Sequence, residues 1–137
     1  MTISKYIVDF LRLYENISIE TNHMPDGSDK NGLFKSPNRD RIEYNDSSCR
    51  ITESYQLFVR QASVSDMERK ESDEWLEDLT YWIDDYGIMN EYPDIDGNRS
   101  VTDISVTGVP TPFDYENDDI VYQLSLSITY KREREDA

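Results

Sequence analysis

The sequence is short of the residues that most active sites and metal centres draw on. It has one histidine, one cysteine and five scattered glycines in 137 residues. A single cysteine, Cys49, excludes an internal disulfide and cannot by itself build a thiolate metal site, so its expected role is that of a small buried or half-buried side chain. A single histidine, His23, excludes a two-histidine metal site. No nucleophile-elbow motif accompanies it, and it reads as a loop residue without a catalytic role. The scattered glycines supply neither a phosphate-cradling loop nor a dinucleotide fingerprint. Cations are scarce too: 14 Lys and Arg stand against 29 Asp and Glu, a formal net charge of -15. Such a surface repels the phosphate backbone and leaves no direct grip on nucleic acid. No apolar run approaches membrane-spanning length, and charges interrupt the N-terminal "MTISKYIVDFLRLYE", unlike a signal peptide. A soluble, cytoplasmic protein that makes no use of a membrane is expected.

What is present is periodic. Hydrophobic residues are only 36% of the chain, but ten tyrosines and two tryptophans add bulky amphipathic area, and the length suits one folded domain, 1–137. Ile3, Ile7, Phe10, Leu11 and Tyr14 form one stripe of a helix predicted over 3–14, with Thr2 or Ser4 as cap. "ISIET" alternates as a short strand, and "CRITESYQLFVRQA" as a longer, central one with Phe58 among the polar residues of its other side. "SVSDMERKESDEWLEDLTYWIDDYG" is the second helix, with a Ser65/Glu68 capping box, a stripe from Trp75 to Tyr86, and Gly87 as its stop. Both tryptophans are expected in the core against the sheet. A strand over 101–107 follows, then "IVYQLSLSITYKRERE", whose even-numbered residues from Ile120 to Tyr130 are apolar and whose odd-numbered ones are mostly polar.

Two segments read as irregular. Residues 24–40 are dense in Pro, Gly, Ser, Asn and Asp and predict a long loop, with Leu33 and Phe34 either contacting another chain or folding back on the core. "GVPTPFDYENDD" reads as a second break, carrying Phe113 and Tyr115. The order of elements predicts an α+β fold: a two-layer sandwich with a mostly antiparallel sheet of about four strands and both helices on one face. The even face of 120–130 then packs on the helices, and Gln123, Ser125, Ser127 and Thr129 face elsewhere.

The acids are concentrated. Residues 66–86 hold nine acids and two bases, and 91–119 hold eight acids and one base, so the two segments carry -14 of the net charge. "DIDGN" begins like a calcium loop, but Ser105 stands where the closing glutamate belongs, so a structural turn is favoured. Asp84 with Asp85, and Glu116 with Asp118 and Asp119, are paired carboxylates that nothing in the sequence buries, and a solvated face is the simpler account. No catalytic residue, metal ligand or cofactor is assigned, and an enzyme is not expected.

"YQLFVRQAS", the helix ending "LTYWIDDYG", "YPDIDGNRSVTDISVTG" and "DDIVYQLSLSITYKRE" together resemble the minor capsid proteins, related in fold to tail terminators, of siphovirus-type phages and prophages of Gram-positive bacteria. The resemblance covers most of residues 50–132. It implies a non-catalytic α+β virion subunit that assembles in the host cytoplasm. Copies would form a ring of about six at the head-proximal end of the tail, capping the tail tube and joining it to head-completion proteins. DNA would be a passing cargo, and an acidic bore would not hold it. Leu33, Phe34, Phe113 and Tyr115 are the candidate subunit or partner contacts. Gln123, Ser125, Ser127 and Thr129 are the candidate bore-lining or neighbour-facing residues. The long polar segment at 24–40 departs from the family pattern. Two rivals stand beside this reading: an acidic DNA-mimic inhibitor of a nucleic-acid-binding enzyme, and an acidic metal-dependent hydrolase, which needs carboxylates converging in a pocket.

Overall fold

The computed structural model describes residues 1–25, 30–62, 65–116 and 118–134. In chain order these form α1 (Ile3–Leu11), β1 (Ser18–Thr21), β2 (Lys30–Glu43), β3 (Ser48–Ala62), α2 (Asp66–Met89), β4 (Arg99–Val106), β5 (Thr111–Glu116) and β6 (Asp119–Glu133). The α+β class and the mostly antiparallel sheet are as expected, but the described strands number six rather than about four. The sheet order is β1-β2-β3-β6-β4, with β5 also on β6. Only β1 and β2 run parallel; the other pairs are antiparallel.

Both additional strands come from segments whose composition predicts loops. Residues 30–43 are β2, a long hairpin partner of β3 with an irregularity between Lys35 and Arg39 that takes up Pro37. Proline donates nothing to a ladder, so it is tolerated where the register shifts. Residues 111–116 are β5, which follows β4 along the same side of β6: β4 pairs with the later half of β6 and β5 with its beginning. Pro112 borders another register shift.

The even residues of β6 meet the expectation. Ile120, Tyr122, Leu124, Leu126, Ile128 and Tyr130 are all buried, and with Ile51, Tyr55, Leu57 and Val59 of β3 they form the sheet's inner face. α1 and α2 cover that face and share one apolar cluster with it. Thr2 caps α1, its side chain accepting from the Lys5 amide at 3.1 Å. The Ser65/Glu68 capping box of α2 is present.

Three local expectations are corrected. α1 ends at Leu11, and α2 runs through Gly87 to Met89. Gly87 serves close packing instead of termination, because a Cβ there would lie 2.6 Å from the Tyr92 hydroxyl. The tryptophans are half-buried and pack against the core cluster instead of lying within it. Both lie in an aromatic seam between the helices, where Trp82 stacks against Phe10 at 5.0 Å and Tyr14 at 5.3 Å, and Trp75 meets Tyr14 at 6.0 Å. Cys49 is a free, buried thiol. Among the described residues no helix is long and apolar enough to cross a membrane.

Candidate interaction surface

The face of the sheet turned away from the helices changes character along its length. Opposed residues in a ladder share a face, so the register assigns Phe34, Gln56 and Ser125 to this outer side, with Phe58 and Gln123 next to them. At this end lies a hollow of about 400 Å³ lined by Met24, Phe34, Gln56, Phe58, Phe113, Asp114 and Val121. Phe58 is its centre. Its ring meets Phe34 at 5.4 Å and 83°, and Phe113 at 4.8 Å and 63°, the edge-to-face geometry that aromatic quadrupoles favour.

Local backbone features build the hollow. A bulged strand bends and re-aims a side chain, and the shift between Pro112 and Asp114 brings Phe113 onto Phe58, leaving it 60% exposed. Gly32 lets the chain at 23–24 lie close over β2: a Cβ there would stand 2.6 Å from the His23 carbonyl oxygen and 3.2 Å from the Met24 sulfur.

Beyond the hollow the face becomes a polar ladder. Gln56 Oε1 accepts from Gln123 Nε2 and from Ser125 Oγ, each at 2.8 Å. Ser54, Ser127 and Ser105 oppose one another across three strands, and the hydroxyls of Thr52 and Thr129 are 3.0 Å apart. All four predicted residues, Gln123, Ser125, Ser127 and Thr129, are half-buried on this face. These groups largely satisfy one another, and the small side chains leave the middle of the sheet low and even.

The far end mixes charges of both signs: Arg50 and Lys131 share the outer side with Asp40, Asp103 and Glu133, and Lys131 pairs with Glu133 at 3.8 Å. Arg50 opposes Lys131 and Ile42 on that side, whereas Arg132, across from the buried Cys49 and from Arg99, belongs to the helix-bearing side. Arg134 and Arg41 both bond Glu43, and the Arg134 hydrogen bond above all holds that carboxyl below the ordinary carboxylate range. The hollow's end carries Asp114 in its wall, Asp118 in the turn from β5 to β6 and Asp119 at the start of β6, with Arg60 buried opposite Val121. Phe58 and Arg50 are eight residues apart on β3, roughly 26 Å of extended chain.

The four predicted contact residues do not form one surface. Phe34 and Phe113 meet in the hollow. Leu33, predicted in a loop, is a strand residue 1% exposed in the core, which withdraws it from any contact. Tyr115, also on a strand, opposes Ile120 on the helix-bearing side and is 71% exposed. Phe58 and Met24 were missed. The signal for Phe58 was present, as an aromatic residue on the polar side of an alternating strand.

Other carboxylates act structurally. Asp96 accepts from the amides of Asn98 and Arg99 and pairs with the Arg99 guanidinium, whose hydrogen bond lowers its pKa, so "DIDGN" is a structural turn. Asp84 is not simply solvated, because it accepts from the Val106 amide at 2.9 Å and ties α2 to the end of β4. Glu53 accepts from the hydroxyls of Tyr55, at 3.1 Å, and Tyr130. Among the described residues no three His, Cys, Asp or Glu side chains gather as a metal site. His23 is exposed, 3.6 Å from Glu20. No protein-family model matches the chain, and no curated protein matches it.

Proposed function

We propose that this chain is a structural subunit of a tailed-phage particle, standing at the head-proximal end of the tail. There copies form a ring of about six, cap the tail tube and join it to the head connector. The observation that carries this reading is the outer sheet face, which both helices leave uncovered and which has chemically unlike ends. A subunit of a ring needs surfaces of this kind, because each copy presents one surface to a different surface of the next. The sequence resemblance supplies the location and the charge fits it, since an acidic wall lets DNA pass without binding it. Electron microscopy of tails assembled with and without the protein tests the role. Overlong or headless tails in its absence are expected; tails of normal length and head attachment would refute it.

One observation favours the DNA-mimic alternative. Glu71, Glu74, Asp78 and Asp85 are exposed along α2 at spacings of three, four and seven residues. At about 1.5 Å rise per residue this gives carboxylates roughly 5–10 Å apart along one helix face. Salt-sensitive, tight binding of the chain to a basic nuclease or restriction enzyme would select that alternative.

A further inference from the structure

We infer that the free edge of β2 pairs with the same edge of a second copy of this chain, antiparallel about a two-fold axis at Ile42, so that residues 40–44 join two sheets edge to edge. The inference goes beyond the ring reading and does not rest on it. A two-fold contact closes at two copies, whereas a ring is built by contacts between unlike surfaces.

An unpaired strand edge is a template for another strand unless something blocks it, and the other edges of this sheet are blocked from within. On β4 the Tyr92 hydroxyl accepts from the Ile104 amide at 3.0 Å, and Asp84 accepts from the Val106 amide at 2.9 Å. On β5 Pro112 has no amide to give, and the Tyr115 amide donates to the Asp114 carboxylate at 2.9 Å. β1 is four residues long, with Ile19 buried beside α1, and it covers β2 only from Lys30 to Leu33. Beyond the irregularity at Pro37, β2 pairs with β3 and, among the described residues, with no other strand. The ladder tells which groups lie free there. The Tyr44 amide donates to the Ser48 carbonyl at 2.9 Å, and antiparallel pairs alternate between bonded and non-bonded. Asp40, Ile42 and Tyr44 therefore turn their backbone groups to β3, while Arg39, Arg41 and Glu43 turn theirs outward. Among the described residues no side chain caps these outward groups.

The occupant follows from the charges, because this edge is complementary to itself. With Ile42 on the axis, Arg41 lies opposite the partner's Glu43 and Glu43 opposite the partner's Arg41, each pair exchanging backbone hydrogen bonds through its outward groups. On the outer face Ile42, 44% exposed, meets the partner's Ile42, and Asp40 faces the phenol of the partner's Tyr44; Tyr44 is 45% exposed. Outward groups must meet outward groups, so the register slips in steps of two residues. One step either way sets Arg41 against the partner's Arg41 or Glu43 against the partner's Glu43, and like charges directly opposed are destabilising. In the favoured register like charges remain only on the diagonals, roughly 7–8 Å apart. Within one copy Arg41 and Arg134 already flank Glu43, and pairing sets a second Arg41 directly across from that carboxylate.

Cysteine cross-linking on the full chain reads the register, since Cys49 is buried. Ile42→Cys should oxidise to a linked dimer about tenfold or more faster than Asp40→Cys or Tyr44→Cys, because residue 42 alone faces itself at disulfide distance. A mixture of the last two should link unlike copies. Sedimentation velocity up to about 1 mM in about 0.15 M salt should show a monomer–dimer equilibrium. Glu43→Pro removes an amide that faces only the free edge, where proline is tolerated, and Arg41→Glu sets acid against acid. Each should weaken pairing on the order of tenfold or more with an unchanged thermal unfolding profile. Arg41→Glu combined with Glu43→Arg should restore pairing, because the exchange returns opposite charges to the same register. A chain that stays monomeric throughout, cross-linking at residue 42 no faster than at 40 or 44, association that Glu43→Pro leaves unchanged, or a charge exchange that restores nothing would overturn the contact. If the pair forms but tails lacking the protein are normal, the pair stands and the virion role falls.

Discussion

The two faces of one sheet are made by alternate residues of the same strands, yet they solve opposite problems. On the inner face Leu57, Leu124 and Ile128 are almost completely hidden under α1 and α2. On the outer face Gln56, Ser125 and Ser127 are half-buried, and their hydrogen-bonding groups are turned largely on each other. The difference separates stability from recognition. Burial on one side holds the fold, so the composition of the other side is free to vary from aromatic to hydroxyl to mixed charge along its length.

Truncation should break this comparison most sharply. Leu57→Ala or Leu124→Ala, each at most 1% exposed, should cost about 2–5 kcal/mol by opening a cavity beneath the helices. Ser125→Ala or Ser127→Ala should stay within about 1 kcal/mol. Urea denaturation of the four variants measures both. Equal losses on the two faces would contradict the division.

Gly32→Ala should come next, at about 1–3 kcal/mol, because the added methyl meets the His23 carbonyl oxygen and the chain over β2 must move. That movement displaces Met24, so quenching of a dye placed at the hollow would change together with stability. A wild-type midpoint and an unchanged hollow would show that the close approach is not required. Ser65→Ala should cost about 1 kcal/mol by removing the cap that accepts from the Glu68 amide, without altering the hollow.

The pH response sharpens the inner face further. Burial raises the phenols of Tyr6, Tyr55 and Tyr130 above their ordinary value, and Tyr130 is raised further by its hydrogen bond to Glu53. A group whose folded pKa is raised contributes stability that is complete below the unfolded pKa, near 10 for tyrosine, and lost as pH climbs toward the folded value. Stability should therefore decline above about pH 10, with tyrosinate absorbance rising as the fold opens. Full ionisation of these phenols in a still-folded chain would contradict their burial. Glu43 and Asp96 act with the opposite sign: Arg134 and Arg99 respectively depress them, so their contribution persists above the ordinary carboxylate range and fades as pH falls through the lowered values.

Much of the inner face was legible because burial imposes strict periodicity. The even residues of β6, the stripe of α1 and the capping box of α2 each follow from a rule that the core enforces. β2 and β5 were not legible. Gly32, Pro37 and Pro112 are turn-forming residues by local chemistry, but a neighbouring strand with open hydrogen-bonding groups overrides local preference, and the two prolines sit at or beside ladder irregularities. The seam between the helices hid the true place of Trp75 and Trp82 for a related reason. A helical stripe says that a side is covered, not which element covers it. Of the surface, Phe34 and Phe113 were nominated from unconnected segments, and only the register and the bulge in β5 bring them together on Phe58.

Oxidative footprinting of the isolated chain against its assembled form would probe the division of the sheet most directly. Labelling at Phe34, Phe58 and Phe113 in the isolated chain, with strong protection on assembly and little change at Trp82, is the predicted result. Unchanged labelling of the three phenylalanines, with protection confined to the helices, would contradict it.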